Sequence, residues 1–336
     1  MGVQIGAIKT RNRVFLAPMS GVTDKPFRAI AHAHGAGLVV TEMVASEELV
    51  HARPDMVRRA TADEELRPFV VQLAGREAHW MAEGARVAQD LGADIIDINM
   101  GCPARQVTGG LSGSALMRDL DHAVSLIAAT VQAASVPVTV KMRLGWDHDS
   151  LNAPELARRA QDAGVAMVTV HGRTRCQFYK GKADWSAIAR VKEAINIPLI
   201  ANGDGLTAQD ATEMMAKSGA DGVMIGRGAY GRPWWPGVLA NVIEPGCGID
   251  EPDLTQEAEI VHRHHQAILD HYGPRHGNRI ARKHIGWVIS RIEERGLILG
   301  AEPAQWRERL LRSENNDDVS QGLHDLYETS VQRRAA

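Results

Sequence analysis

Short runs of β-branched and apolar residues alternate with longer amphipathic stretches through the first 240 residues. Apolar residues recur at helical spacing in residues 77–91, 121–134, 153–163, 185–195 and 207–218. Gly92, Gly164 and Gly219 follow three of these helices, where a left-handed cap is expected. The predicted strands are residues 14–19, 38–41, 69–73, 95–99, 138–143, 167–171, 199–202 and 222–225. Because strands that alternate with helices are typical of a TIM barrel, we predict an α/β fold with a (β/α)8 barrel over residues 1–243.

The pattern changes after the predicted barrel. Residues 244–253 contain Pro245, Gly246, Gly248 and Pro252, which disfavour a helix, and we interpret this segment as a linker. Residues 254–336 show only helical periodicity, with predicted helices at 256–272, 278–295, 303–311 and 317–333. We therefore expect a small, all-α helical bundle as a C-terminal domain over residues 254–336.

Composition narrows the class of protein. Hydrophobic residues make up 44% and charged residues 24% of the 336 residues, which is ordinary for a globular protein. No apolar run is long enough for a membrane span and the N-terminus lacks the features of a signal peptide, so we expect a cytoplasmic protein. The 3 cysteines have no paired spacing, which argues against a disulfide scaffold or a zinc site. A net charge of −3 favours a metabolic enzyme unless a basic surface is concentrated locally.

Polar residues cluster where the predicted strands end. In a barrel, the carboxyl ends of the strands meet on one face and form the active site. Along the chain, the candidates at these ends are Pro18, Met19, Ser20, Gln72, Asn99, Cys102, Lys141, Arg143, His171, Arg173, Arg175, Asn202, Gly203, Asp204, Gly226 and Arg227. The sequence therefore predicts one site at this face.

Two glycine-rich turns follow the predicted strands 7 and 8, the usual barrel position for a phosphate group. Glycine allows backbone amides to approach phosphate oxygens, and Arg227 adds positive charge. Lys141 would stabilise the negative charge of a reduced flavin, and Gln72 could pair with the flavin's pyrimidine edge. The alternatives are glycines that only make tight turns and a lysine that forms a Schiff base or binds phosphate.

Cys102 lies between Gly101 and Pro103 at the end of the predicted strand 4. Many cysteines are simply buried in a core, but a strand-end turn that holds the thiol at the barrel mouth favours a functional role. A free thiol has a pKa near ~8.5, so it is mostly protonated at neutral pH and able to donate a proton.

Several motifs resemble one enzyme family in order and spacing. Residues 97–103 read Asp-Ile-Asn-Met-Gly-Cys-Pro, followed by Val107 and Gly113-Ser114, and are similar to the signature of the tRNA-dihydrouridine synthases. Further matches to that family are Ala17-Pro18-Met19, Thr23-Asp24, Pro26-Phe27-Arg28, Lys141 with Arg143, His171-Gly172-Arg173-Thr174 and Asn202-Gly203-Asp204. The resemblance extends over essentially the whole chain and is closest to the bacterial B-type subgroup.

The resemblance implies a function and assigns roles. It implies FMN-dependent, NADPH-driven reduction of uridine in tRNA to 5,6-dihydrouridine, with Cys102 as the proton donor. It implies that the flavin is bound by Pro18, Met19, Ser20, Gln72, Lys141, His171, Asn202, Gly203, Asp204, Gly226 and Arg227. It places Asn99 and Arg143 beside the uracil, where His171 would also lie. Arg173 and Arg175 are candidate substrate contacts at the barrel mouth.

A basic segment in the C-terminal region supplies the local positive surface that an RNA substrate needs. Residues 275–291 contain five Arg or Lys and no acidic residue. On a helix that begins after Asn278, the apolar face carries Ala281, Ile285, Val288 and Ile292. Roughly opposite lie the candidate tRNA contacts, which are Arg279, Arg282 and Lys283, with Arg275 just before them. The alternative is an ordinary solvated helix face.

Three other functions remain as alternatives. The first is an FMN barrel oxidoreductase that acts on a free pyrimidine. The second is a flavin-free barrel that binds phosphosugars, and the third is a non-catalytic RNA-binding protein. We predict no metal site, because His262 and His265 have helical spacing but no set of carboxylates accompanies them.

Overall fold

Parallel strands that alternate with helices form the first two thirds of the chain in the computed structural model, which describes residues 2–62 and 64–335. The strands in this part of the chain are β1 (Gln4–Ile5), β2 (Ile8–Lys9), β3 (Val14–Leu16), β4 (Leu38–Val39), β5 (Val44–Ala45), β6 (Val70–Ala74), β7 (Ile95–Met100), β8 (Val138–Arg143), β9 (Met167–His171), β10 (Leu199–Asn202) and β11 (Gly222–Ile225). β1 and β2 form an antiparallel hairpin. The other strands form one parallel sheet in the order β4-β3-β11-β10-β9-β8-β7-β6-β5.

The segment 38–45, which contains the predicted second strand of the barrel, closes this sheet. β4 pairs with β3, and β5 pairs with β6. Between β4 and β5, a bridge joins Val40 to Val70, so one stretch of chain contacts both neighbours. The predicted TIM-type α/β barrel is therefore confirmed, with the predicted strand 38–41 divided into β4, the bridge and β5.

The first strand is shorter than predicted. It was expected to reach residue 19, but β3 ends at Leu16. Ala17 still donates its N–H to Ile225 O at 2.9 Å, whereas Pro18 has no N–H and cannot continue the ladder. The chain therefore leaves the sheet at Pro18 and runs over the barrel mouth.

Alternate residues of the strands fill the barrel interior. Phe15, Val70, Ile95, Ile200 and Met224 pack together as one fully or almost fully buried cluster. The hairpin β1–β2 adds apolar side chains to the same cluster. The opposite set of strand residues packs against the surrounding helices. The cavity-lining polar residues of the strands lie near the carboxyl ends, beyond these apolar layers.

Helices cover the outside of the barrel and continue beyond it. Those up to residue 243 are α1 (Lys25–Ala33), α2 (Ser46–Val50), α3 (Pro54–Ala60), α4 (Ala78–Asp90), α5 (Arg105–Gly109), α6 (Leu120–Ala133), α7 (Ala153–Asp162), α8 (Trp185–Ala194), α9 (Ala208–Ser218) and α10 (Trp235–Ile243). Short 3₁₀ helices span Gly113–Arg118 and Arg227–Ala229. The predicted glycine caps are confirmed, since Gly92, Gly164 and Gly219 all have positive φ.

Up to residue 335, four helices follow the segment that we interpreted as a linker: α11 (Leu254–Tyr272), α12 (Pro274–Glu294), α13 (Glu302–Arg312) and α14 (Asn316–Ala335). The predicted start of α12 after Asn278 is wrong by one turn. Gly273 takes a φ of 79° and Pro274 begins the helix, while Asn278 is buried and donates Nδ2 to Ser313 O at 3.3 Å. Pro at the first position suits a helix start, which outweighs the capping preference of Asn278.

Three histidines pack where α11 and α12 meet α1. His264 and His284 contact Phe27 at ring-centroid distances of 5.4 and 5.6 Å, and His265 is buried beside them. Burial lowers the pKa of His264 to about 3 and that of His265 to about 4, and it holds the pKa of His284 well below its usual range. All three are therefore neutral at pH 7.

We expect this cluster to make the fold sensitive to acid. Below about pH 6.5 the unfolded chain binds protons that the folded histidines do not, so the free energy of unfolding falls as pH falls. Each histidine contributes about 1.4 kcal/mol per pH unit while only the unfolded form is protonated. Replacement of His265 by glutamine should flatten this dependence between about pH 6 and 4.5, measured by denaturant unfolding, whereas the exposed His79→Gln control should not. An unchanged slope in His265→Gln would contradict the proposed titration.

Candidate active site at the barrel mouth

A cavity of about 610 Å³ opens at the carboxyl ends of the barrel strands. Its walls contain most of the residues that the sequence placed at the strand ends. The predicted residues that line it are Pro18, Met19, Ser20, Gln72, Asn99, Cys102, Lys141, Arg143, His171, Asn202, Gly203, Asp204, Gly226 and Arg227. The size is within the range of about 300–1,000 Å³ that is usual for small-molecule sites.

The Asn99 side chain fixes the turn that carries Cys102. Asn99 Oδ1 accepts hydrogen bonds from the N–H of Gly101 at 3.2 Å and of Cys102 at 3.0 Å. Ser114 donates both its Oγ–H at 2.8 Å and its N–H at 3.1 Å to Cys102 O. The backbone on both sides of the thiol is thus held by side chains that come from the barrel and from the following 3₁₀ helix.

Gly113 is needed for that arrangement. Its φ is +60°, and a Cβ at this position would lie 2.9 Å from Cys102 O and 2.8 Å from Val107 Cγ1. A larger residue would therefore strain the backbone and push against the cysteine turn.

A chain of buried hydrogen bonds orients Asn99 in turn. Asn99 Nδ2 donates to Gln72 Oε1 at 2.7 Å, and Gln72 Nε2 donates to Asp97 Oδ2 at 2.7 Å. Thr139 Oγ1 donates to the other carboxylate oxygen of Asp97 at 2.6 Å. Burial raises the pKa of Asp97, while the bonds from Gln72 and Thr139 oppose that rise. Each amide therefore has a defined orientation, with Gln72 and Asn99 presented to the cavity.

Lys141 and His171 lie on the neighbouring strands β8 and β9, and Lys141 is paired in register with Asn99. Lys141 Nζ donates to Asn202 Oδ1 at 3.0 Å, and Asn202 Nδ2 donates to Met224 O at 2.7 Å. Burial, followed by the charge of Arg143, lowers the pKa of Lys141 to about 8. Burial and the neighbouring cations hold the pKa of His171 well below its usual range, so His171 is neutral. An anion that binds near Lys141 would be stabilised by the positive charge of this lysine.

The turns after β10 and β11 are joined by one carboxylate. Asp204 Oδ1 accepts from Arg227 Nη2 at 3.1 Å, and Asp204 Oδ2 accepts from the N–H of Ala183 at 2.7 Å and also from Arg173. Asp204 has a φ of 57°, which is uncommon for a residue with a side chain. Gly203 lies against His171, because a Cβ on Gly203 would be 3.0 Å from His171 Cδ2. The two turns are therefore held at a fixed separation on one side of the cavity.

Comparison with known proteins shows the family. A family model described as dihydrouridine synthase matches residues 15–332. A probable tRNA-dihydrouridine synthase from Rhizobium leguminosarum bv. phaseoli is 57% identical over 310 residues, which cover 90% of this chain and 95% of that protein. The chain belongs to the dihydrouridine synthase family.

One further relative agrees with this membership, and one solved structure shares the fold. tRNA-dihydrouridine synthase B from Xanthomonas axonopodis pv. citri (strain 306) is 46% identical over 285 residues, covering 85% of this chain and 86% of that protein. The solved structure of 6-hydroxypseudooxynicotine amine oxidase from Pseudomonas geniculata N1 matches with a TM-score of 0.56 at 13% identity, over 71% of this chain and 48% of that one. The latter likeness concerns the fold alone. The predicted class, a flavin-dependent oxidoreductase of the dihydrouridine synthase family, is confirmed.

Two predicted substrate-binding arginines of this dihydrouridine synthase form hydrogen bonds within the protein. Arg143 donates Nε to Gly101 O at 2.8 Å, and Nη1 to Thr174 O and Phe178 O at 2.9 Å each. Arg173 is 1% exposed and lies outside the cavity wall, where it donates to Gly181 O at 2.6 Å and pairs with Asp204. The predicted contact of Arg173 with substrate is therefore not supported by its position, which ties the turn after β9 to the turn after β10.

Three aromatic residues that line the cavity, Phe178, Tyr179 and Tyr230, were not predicted from the sequence. Tyr179 is 53% exposed and lines the cavity, with the guanidinium groups of Arg143 and Arg227 at 5.7 and 5.2 Å from its ring. Tyr230 also lines the cavity and stacks on Trp287 of α12 at 3.9 Å between ring centroids. Neither tyrosine belongs to a strand end, so only the loop lengths after β9 and β11 could have indicated them.

The Tyr230–Trp287 stack places the basic helix α12 beside the cavity. A Cβ on Gly21, in the turn after β3, would lie 3.9 Å from Lys283 Nζ. Arg279 is exposed, and Arg282 and Lys283 are partly exposed. The predicted apolar face is confirmed, since Ala281, Ile285, Val288 and Ile292 are all buried.

The predicted contact residue Arg175 does not itself line the cavity but packs against Phe178, which does. Its guanidinium group lies 4.6 Å from the rings of both Trp146 and Phe178, and Nη2 donates to Thr108 Oγ1 at 3.3 Å. Arg175 therefore packs the loop after β9 against helix α5.

Two properties concern the described residues as a whole. Within residues 2–62 and 64–335, none of the helices is both long and apolar enough to cross a membrane. In the same ranges, no group of three or more His, Cys, Asp or Glu side chains is arranged to hold a metal ion.

Proposed function

We propose that this dihydrouridine synthase reduces uridines of tRNA to 5,6-dihydrouridine, with FMN as the bound flavin, NADPH as the electron donor and Cys102 as the proton donor. The observation that carries the proposal is the position of Cys102 on the wall of a cavity that also contains Lys141, Gln72 and two glycine-rich turns. A tRNA substrate agrees with the names of the relatives and implies a cytoplasmic location.

The cavity residues fit FMN. Gln72 is locked by Asp97, so its amide is oriented for the polar edge of the flavin ring. Lys141, held by Asn202, offers a positive charge where the reduced ring carries a negative one. The two turns after β10 and β11 and the Arg227 guanidinium suit the phosphate. Pro18, Met19 and Ser20, where the chain leaves β3, would contact the ring through their backbone.

The reaction needs two hydrogens of different kinds. A bound and reduced flavin would supply a hydride for C6 of the uracil ring. The electron pair left toward C5 then takes a proton, which the Cys102 thiol supplies as a general acid. Asn99 and Ser114 fix the turn that aims this thiol, so the proton is delivered from a defined position. The thiolate regains a proton from solvent, which balances the cycle.

The target uridine must be brought into the cavity and held there. A uridine in folded RNA must leave its stack to enter the cavity, as enzymes that act on bases generally require. Arg143 and His171, both on the cavity wall, would lie beside the uracil. Arg279, Arg282 and Lys283 would contact the RNA outside the cavity.

The proposal is tested by mapping dihydrouridine in tRNA. Purified protein with FMN and NADPH should form dihydrouridine at defined positions of tRNA that was isolated from cells lacking this gene. It should not turn over free uracil or UMP at a comparable rate. Rapid reduction of free pyrimidine without RNA would instead favour the alternative FMN oxidoreductase, and a protein that cannot be loaded with FMN would exclude both.

Binding of reduced FMN should weaken at alkaline pH because of Lys141. Its pKa of about 8 means that the lysine is positively charged below pH 8 and loses the charge above it. The anionic ring of reduced FMN favours the charged form of Lys141, so affinity for reduced FMN should be highest below pH 8 and fall by at most about tenfold per pH unit above it. Anaerobic titration of apoprotein with reduced FMN between pH 7 and 9.5 measures this.

Two variants show whether Lys141 is responsible. Lys141→Met should bind reduced FMN more weakly at pH 7 and show little dependence on pH over the same range. Lys9→Met, which changes an exposed lysine in the hairpin before β3, should retain the wild-type profile. An equal pH dependence in Lys141→Met would assign the effect to another group.

A further inference from the structure

A second cavity lies in the C-terminal helices, between the start of α12 and the segment that joins α13 to α14. Its volume is about 350 Å³, and it is lined by Arg275, Asn278, Arg279, Arg282, Glu314 and Asn316. We call it the helical pocket. It does not share a lining residue with the cavity at the barrel mouth.

Two asparagine oxygens in the helical pocket lack hydrogen-bond donors. Asn278 is 4% exposed, and it donates Nδ2 to Ser313 O at 3.3 Å. Asn316 donates Nδ2 to Pro274 O at 3.4 Å. Each amide is anchored through its nitrogen, and both Oδ1 atoms are buried without a partner among the described residues. The helical pocket therefore contains two fixed acceptors whose unmet hydrogen bonds cost free energy.

The arginines of the helical pocket also lack partners within the described ranges. Arg282 Nε is buried with no acceptor, and no ion pair or side-chain hydrogen bond is found for Arg275 or Arg279. Elsewhere in these helices arginines do pair with carboxylates, for example Arg291 with Glu294 at 3.0 Å and Arg295 with Glu257 at 2.7 Å. Among the described residues, the pocket arginines are therefore not engaged by a carboxylate of the fold and are available to a ligand.

A ligand of the helical pocket must accept hydrogen bonds from the arginines and donate hydrogen bonds to the two asparagine oxygens. An anion alone would pair with the arginines but would leave the two asparagine oxygens without donors. A nucleotide offers a phosphate to the guanidinium groups and a base edge with N–H donors to the amide oxygens. Among the four bases, guanine combines an exocyclic amine and a ring N–H as donors with O6 and N7 as acceptors for an arginine.

We propose that the helical pocket binds one unstacked nucleotide of the RNA, with guanosine as the matching base. The inference rests on the proposed tRNA substrate and adds a recognition site that is separate from the reduced uridine. Reading a base with directed hydrogen bonds supplies specificity, whereas contacts with phosphates on the same helix supply affinity for any RNA. The pocket would thus help to select which tRNA nucleotide reaches the barrel mouth.

A charge-conserving substitution separates these two roles. Arg282→Lys keeps the positive charge but removes Nε and the planar fork of donors. If the pocket reads a base, this variant and Asn316→Ala should each weaken tRNA binding by roughly 5- to 100-fold at constant salt. The salt dependence of binding should remain unchanged for both, because no charge is lost. Arg312→Lys, on an exposed pair with Glu308, is the matched control and should bind as the wild type does.

Equilibrium dialysis of the FMN-loaded protein against GMP, UMP and inorganic phosphate gives the second measurement. GMP should bind more tightly than UMP or phosphate, and Arg282→Lys and Asn316→Ala should remove this preference. Equal binding of the three ligands, or wild-type tRNA affinity in Arg282→Lys, would overturn the proposal and leave a simple anion site. Neither measurement requires turnover, so a failure to form dihydrouridine would refute the proposed function without deciding this inference. Thermal unfolding of both variants verifies that they are folded.

Discussion

Replacement of Cys102 by alanine should lower the rate of dihydrouridine formation by roughly 10²- to 10⁴-fold, the usual contribution of general-acid catalysis. The same variant should bind FMN and be reduced by NADPH at the wild-type rate, because Cys102 holds neither the ring nor the phosphate in the proposed arrangement. Single-turnover assays with prereduced protein and tRNA would measure the step that forms the product, separately from flavin reduction.

Two other thiols serve as controls for Cys102. Cys176 is exposed and Cys247 is partly exposed, and neither lines the cavity at the barrel mouth. Cys176→Ala and Cys247→Ala should therefore form dihydrouridine at nearly the wild-type rate. A Cys102→Ala variant that matches the wild type in single turnover would refute the assigned role. Loss of flavin reduction in that variant would indicate instead that the cysteine turn supports the flavin site.

The barrel could be predicted because each strand carries its own local signal. The runs that became β8, β9, β10 and β11 have the predicted bounds, since β-branched and apolar residues within them end at a glycine or a charged residue. The positions of Lys141 and Arg143 on one face follow from the period of two residues in a strand. These features depend only on residues that are close in sequence, so they can be predicted without the structure.

The hydrogen bonds that shape the site depend on residues far apart in sequence. Thr139, Asp97, Gln72 and Asn99 come from three adjacent strands, and their connection appears only when β6, β7 and β8 are aligned. The alternation of Asp97 and Asn99 along β7 could have shown that both point inward. It could not have shown that Asn99 holds the Cys102 backbone.

The role of Arg173 also depends on a residue that is distant in sequence. At a strand end next to His171, an arginine is a reasonable candidate for contact with substrate. In the structure, Asp204 from the next strand end neutralises it, and the ion pair joins two loops. A charge at the barrel mouth can therefore bind a ligand or organise the walls, and the choice depends on a partner that is 31 residues away in sequence.

Replacement of Arg279 and Lys283 together by glutamate should weaken tRNA binding by roughly 10- to 100-fold at low salt, because two phosphate contacts are lost. Neither side chain has a carboxylate within ion-pair distance among the described residues, and Lys283 Nζ lies beside the Gly21 turn at the cavity rim. The dependence of log affinity on log salt should become shallower by about two units, one for each contact. FMN content, NADPH oxidation and the unfolding temperature should stay close to wild type, since exposed charges contribute little to stability. An unchanged affinity and slope would mean that this face of α12 is only solvated, and the RNA would then have to be held by other groups at the barrel mouth.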